Sequence, residues 1–136
     1  MFGSNNVQTV SFHITDPGSD DKDIHLMRAP SESDVTIKRA YLTVQGAQGA
    51  GSATEFELQN WGTAGTAIKS SGGTVAAALG GTAAASRLSA ATPAAYTISN
   101  DTLAAGEWLV LNTQETGDWV EVQATISLDY VIGKGS

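Results

Sequence analysis

The sequence predicts an all-β protein: an antiparallel β-sandwich, jelly-roll-like, with about eight strands. Three observations predict it. Apolar residues recur with a period of two along most apolar segments. Clusters of Gly, Pro, Asp and Asn separate those segments at the short intervals expected of a sandwich. No stretch sustains the period of an amphipathic helix; the best candidate, the alanine-rich segment 74–88, is cut by Gly80 and Gly81.

The clearest strand lies near the C-terminus, where Val120, Val122, Ala124, Ile126, Leu128, Tyr130 and Ile132 alternate with Glu121, Gln123, Thr125, Ser127, Asp129 and Val131. Near the other end Val10, Phe12 and Ile14 alternate with Thr9, Ser11, His13 and Thr15, giving a first strand over 7–15. Asp16 to Asp23, with Pro17 and Gly18, is a turn by residue type, and Ile24 to Arg28 is a short second strand. The spacing predicts that these two strands form a hairpin, with Phe12 opposite Leu26, Ile14 opposite Ile24 and His13 opposite His25.

A third strand spans 35–45. Val35 and Ile37 alternate on one parity and Ala40, Leu42 and Val44 on the other, so a β-bulge is expected near Lys38 and Arg39. Gly46 to Gly51 reads as a hairpin loop leading into a strand at 54–59. The middle of the chain, 61–92, carries only Lys69 and Arg87 as charges and is built from Ala, Gly, Ser and Thr. It reads as long loops with short edge strands at 66–69 and 74–79. A further strand follows at 94–98. The run from Glu107 to Asn112 is then expected to be a central strand buried on both faces, with Trp108 in the core.

A chain of 136 residues holds one domain, placed at 7–136, with Met1 to Asn6 as a flexible N-terminal arm. Seven basic against fourteen acidic residues leave a formal charge of −7, which opposes a general grip on nucleic acid or on an anionic membrane. The absence of cysteine excludes disulfides, thiolate metal sites and thiol nucleophiles. The first six residues carry neither the basic nor the apolar stretch of a leader, so a protein made in a cytoplasm is expected.

Chemistry-bearing clusters are few. Asp16, Asp20, Asp21 and Asp23 offer several carboxylates to a cation such as calcium, but the spacing is not that of an EF-hand loop and the turn propensity of Asp explains the same residues. His13 and His25, side by side in the expected hairpin, lack a third zinc ligand and are read as a contact between subunits or a solvated pair. Neither a Gly-x-Ser-x-Gly elbow nor a serine partner for the histidines is present. Glu55 and Glu57 flank Phe56 on one strand; two carboxylates serve glycoside cleavage, yet this is also the ordinary solvated face beside a buried aromatic. The segment 46–51 lacks the Gly-Lys-Ser/Thr end of a phosphate loop. Trp61 and Trp119, at strand ends, are candidate interface aromatics. No catalytic, cofactor or metal residue is therefore expected, and no enzyme activity.

Three features together resemble the decoration, or cement, proteins of tailed-bacteriophage capsids: the Ala29-Pro30 turn into the strand from Val35 to Leu42, the Gly/Ala/Thr-rich middle, and the run from Leu103 to Val110 before a long final strand. The resemblance covers the chain from about Ile24 onward. It implies a structural virion protein, assembled in the host cytoplasm, that binds the outer surface of the head as a homotrimer and clamps copies of the major capsid protein. Phe2, Trp61, Trp119, His13 and His25 are the residues expected at capsid or subunit contacts. The alternative is a receptor- or carbohydrate-binding module of a tail or fibre, which would be favoured by a surface platform of tryptophan with nearby Asn and Gln.

Overall fold

The computed structural model describes residues 6–15, 22–48, 53–82, 94–116 and 119–133. Among them are nine strands: β1 (Gln8–Thr15), β2 (Lys22–Arg28), β3 (Val35–Gln48), β4 (Ala53–Asn60), β5 (Thr74–Thr82), β6 (Ala94–Ala95), β7 (Thr102–Leu103), β8 (Trp108–Thr116) and β9 (Trp119–Ile132). The described residues contain no helix. The first sheet has the order β1-β9-β3-β6, with β7 also on β3; the second has the order β2-β8-β4-β5. Every pairing is antiparallel. This is the order of a jelly roll, in which the early strands alternate between the sheets and the late strands slot between them.

The period of two decides which face each strand buries. On β9, Ala124, Ile126 and Leu128 point into the sandwich and meet Val44, Leu42 and Ala40 of β3 in register. Across the interior, Leu109 and Leu111 of β8 and Phe56 and Leu58 of β4 complete the core, with Leu58 opposite Leu111. The bulge expected at Lys38 is present: the β3–β9 register shifts between Ile37 and Arg39. The extra residue keeps both Ile37 and Ala40 buried, as the switch of parity demands.

One side of the sandwich is closed by the segment after β6. The Tyr96 N–H donates to the carbonyl of Ala40 in the first sheet (2.9 Å), and its hydroxyl donates to the carbonyl of Phe56 in the second (3.0 Å). Burial pushes the Tyr96 phenol pKa far upward, so the hydroxyl stays a donor. Ile98 then bridges Ala76 of β5, and the Ser99 N–H donates to the Val75 carbonyl (2.8 Å). The opposite side carries the edges of β1 and β2.

Three expectations about connection fail. β1 and β2 are not a hairpin: β1 pairs with β9, placing Phe12 opposite Ile126 and Ile14 opposite Ala124, and β2 pairs with β8, placing Ile24 opposite Leu111. Likewise β3 and β4 lie in different sheets, so residues 46–51 do not close a hairpin. The physical reason is shared. Alternation fixes which face of a strand is apolar, and both sheets of a sandwich offer that face the same interior. The third failure is the edge strand expected at 66–69, where the chain instead forms a succession of turns between β4 and β5. Residues 1–5, most of the acidic turn (16–21) and the stretch 83–93 lie outside the described residues.

Candidate functional site: the outer face of the second sheet

Alternation along β8 turns Trp108, Val110, Asn112 and Gln114 away from the core, while Leu109, Leu111 and Thr113 face it. The same rule turns Glu55, Glu57 and Gln59 of β4 and Asp23 and His25 of β2 outward. Register arranges them in rows across the strands. His25, Val110 and Gln59 form one row; Asp23, Asn112 and Glu57 form the next. Val110 is fully buried although it takes no part in the inner core. Its cover comes from the residues around it.

Beside Val110, starting from its register partner His25, stands an aromatic cluster. The His25 ring stands edge-on to Trp61, with centroids 5.5 Å apart, and to Trp108, with centroids 5.2 Å apart. His25 Nε2 lies 2.7 Å from the carbonyl oxygen of Gly65, which can only accept, so Nε2 carries the proton. The Trp61 indole donates to Gln59 Oε1 (2.8 Å), and Gln59 Nε2 donates to Glu57 Oε1 (2.5 Å). In the lower row Asn112 Nδ2 donates to Asp23 Oδ1 (2.6 Å), and Gln114 Nε2 donates to Asn112 Oδ1 (3.1 Å). The aromatic cluster thus continues into a polar ladder whose side chains hold one another.

The loop 61–73 is seated on this face by an ionic network at its base. Glu107 Oε1 accepts from Asn60 Nδ2 (2.9 Å) and from the Ala104 N–H (2.8 Å), while its Oε2 lies 2.9 Å from Lys69 Nζ. Burial of the Glu107 carboxylate pushes its pKa upward, but the hydrogen bonds from Asn60, Lys69 and Ala104 outweigh this and hold it below the ordinary value. Asn60 is itself 2 % exposed, and its Oδ1 accepts from the Gly62 N–H (2.8 Å). Backbone bonds finish the seat: Trp61 N–H to the Trp108 carbonyl, Trp108 N–H to the Gly62 carbonyl, and Lys69 N–H to the Asn60 carbonyl. Gly65 crosses so close to Trp108 that a Cβ there would fall 2.7 Å from Cδ1 of the indole, and its φ of +66° favours glycine in any case.

Several expectations about site residues are revised here. His13 and His25 do not stand together: His13 belongs to the first sheet, with Nδ1 3.2 Å from Thr125 Oγ1, and His25 to the second. Trp108 is not a core residue; it is half-buried on the outer face, because it precedes Leu109 by one position in a strand whose inward set begins there. Of the rest of the Glu107–Asn112 run, Glu107, Leu109, Val110 and Leu111 are buried as expected, and Asn112 at its end is half-buried on the outer face. Trp61 is half-buried and tied to Gln59 rather than free. Glu55 and Glu57 do flank an inward Phe56, on the outer face of β4. Trp119 begins β9 opposite Gln48, with its side chain outside the described residues; Phe2 lies outside them altogether. The Glu107–Asn60–Lys69 network was not foreseen. Its one trace in the sequence is a lone lysine in a nearly uncharged stretch.

Among the described residues no group of three or more His, Asp or Glu is placed to hold a metal ion. The fold and this face together define a jelly-roll β-sandwich with an aromatic and polar outer surface. No family model, curated protein or solved structure matches the chain.

Proposed function

We propose that this chain is a decoration protein of a tailed-bacteriophage capsid: a structural virion protein, assembled in the host cytoplasm, that binds the outer surface of the head as a homotrimer and strengthens contacts between major capsid protein subunits. The observation that carries the reading is the edge strand β1. It bonds to β9 through eight consecutive pairs without a bulge, and among the described residues it ends the order of its sheet. Its sequence, Gln8 to Thr15, contains no lysine, proline or glycine. Proteins that remain single guard such edges with charge, proline or a bulge, because a row of free backbone donors and acceptors recruits another strand. An unguarded regular edge suits a chain whose edge is covered by a neighbour, whether a second copy or a coat subunit.

A clamp of this kind needs no chemistry. A protein that binds only the assembled lattice stabilises it by RT ln(1 + [L]/Kd), about 2.7 kcal/mol per site at a hundredfold excess over Kd. The test is heat survival of decorated and undecorated particles, together with sedimentation of the free protein. Decorated particles are expected to survive longer, and the free protein to sediment as a trimer. Ser11→Lys, which charges the β1 edge, should weaken both effects while leaving the fold intact. Equal survival with and without the protein overturns the reading. The alternative reading, a carbohydrate-binding module, is favoured by one observation, the aromatic cluster at Trp61.

A further inference from the structure

We propose that the outer face of the second sheet binds an uncharged oligosaccharide, with the rings of Trp61, Trp108 and His25 forming an apolar step and Asp23, Asn112 and Glu57 forming the hydrogen-bonding row beside it. The inference goes beyond the capsid reading and does not rest on it.

The chemistry of the face selects the ligand. A sugar ring presents an apolar C–H face and a rim of hydroxyls, each of which both donates and accepts. Aromatic rings match the first, and paired amides and carboxylates match the second. Both kinds of group occupy adjacent rows of one sheet, set by the register of His25 with Val110 and of Asp23 with Asn112. The amides are braced before any ligand arrives: Asn112 donates to Asp23, and Gln59, 8 % exposed, donates to Glu57 and accepts from Trp61. Bracing lowers the ordering cost of binding. Each carboxylate still has an oxygen beyond the one used in these bonds, so acceptors remain for sugar hydroxyls.

Charge narrows the class further. Asp23 and Glu57 share a row with no cationic residue, and Glu55 stands next to it on β4. Such a surface repels sulfated, phosphorylated and uronic-acid glycans and leaves neutral ones. Fixation of the loop 61–73 explains why His25 meets Gly65 and why Trp61 meets Gln59. It does not account for Asp23 and Asn112, which bond to each other and, among the described residues, to no side chain of the loop; Glu57 meets the loop only through Gln59.

The test is affinity electrophoresis of the full chain through gels containing mannan, β-glucan, arabinoxylan or dextran, with alginate and hyaluronate as acidic controls. Tryptophan fluorescence is followed in parallel. Retardation by at least one neutral polymer, a fluorescence change on its addition and no retardation by the acidic polymers are expected. Asn112→Ala should weaken retardation by about tenfold with unchanged melting temperature, the loss of one good hydrogen bond to a ligand. Glu57→Ala should weaken it as much with a lower melting temperature, because it strands the buried Gln59 amide. Asn112 lies away from the loop seat, so it remains informative if Trp61→Ala or Glu57→Ala unfolds. Free migration in every neutral gel, equal retardation by the acidic polymers, or full retention by both variants overturns the proposal. No capsid enters this experiment, so its failure and the failure of the capsid reading are separate results.

Discussion

The two sheets bury similar faces but present very different ones to solvent. On the first sheet outward residues pair directly across strands. Thr9 donates to Asp129 (2.8 Å), Arg39 bridges the same carboxylate (2.8 Å), and Ser11 meets Ser127 (3.1 Å). Each contact follows from register alone and sits in water. On the second sheet a loop returns over the strands, setting Gly65 against His25 and Trp108, and is anchored by a carboxylate shielded from solvent. The contrast teaches where specificity enters this fold. A regular ladder supplies a surface of small, replaceable contacts, whereas a loop laid on a sheet creates buried polar groups that must all be satisfied at once.

The contrast implies unequal costs of mutation. Glu107→Ala should have the largest effect, because it strands the buried amide of Asn60 and the N–H of Ala104. A loss of about 3 kcal/mol in urea unfolding is expected, and a loss below about 1 kcal/mol would mean that the loop seat is dispensable. Gly65→Ala should follow, since the new methyl meets the Trp108 ring and the backbone is held at positive φ. About 2 kcal/mol is expected, with a shift in tryptophan fluorescence that reports the displaced ring. Unchanged fluorescence would contradict the packing of the loop on Trp108.

Acid should sharpen the comparison next. The folded-state pKa of Glu107 lies below its unfolded value of about 4.3. Its contribution is therefore complete above that value and disappears as pH falls through the folded pKa. Asp129 has the same sign, lowered by its hydrogen bonds from Arg39 and Thr9. Glu107→Gln should be less stable than the parent protein at pH 7, and the gap should close toward pH 3. A gap that stays constant over that range would show that the charge is not what matters. The smallest effect belongs to the first sheet: Asp129→Asn breaks an ion pair whose arginine is largely exposed, and the urea midpoint at pH 7 should be unchanged within error.

Most individual strands were legible because alternation is a local property. The bulge at Lys38 could be located from parity alone, since Val35 and Ile37 cannot share a face with Ala40 and Leu42 unless one residue is extra. The site was much less legible. Trp61 and Trp108 are far apart in sequence from His25, and nothing local says that the three meet. Trp108 looked like core because it opens an apolar run, but membership of a run does not say which face a residue takes.

By itself, then, the sequence determined the all-β class, the main strands and most of the inward set on them, because a pleated strand places alternate residues on opposite faces whatever its partners. It misplaced Trp108 and also Ile132, which is exposed while Val131 beside it is buried. Only the tertiary structure decided which strands pair. β1 faces the same apolar interior beside β9 as it would beside β2, so pattern could not separate a hairpin from a crossing between sheets. The tertiary structure also decided that Glu107, Asn60 and Lys69 converge. The energy of that cluster comes from burial and mutual satisfaction, which exist only once the loop 61–73 has closed over the second sheet.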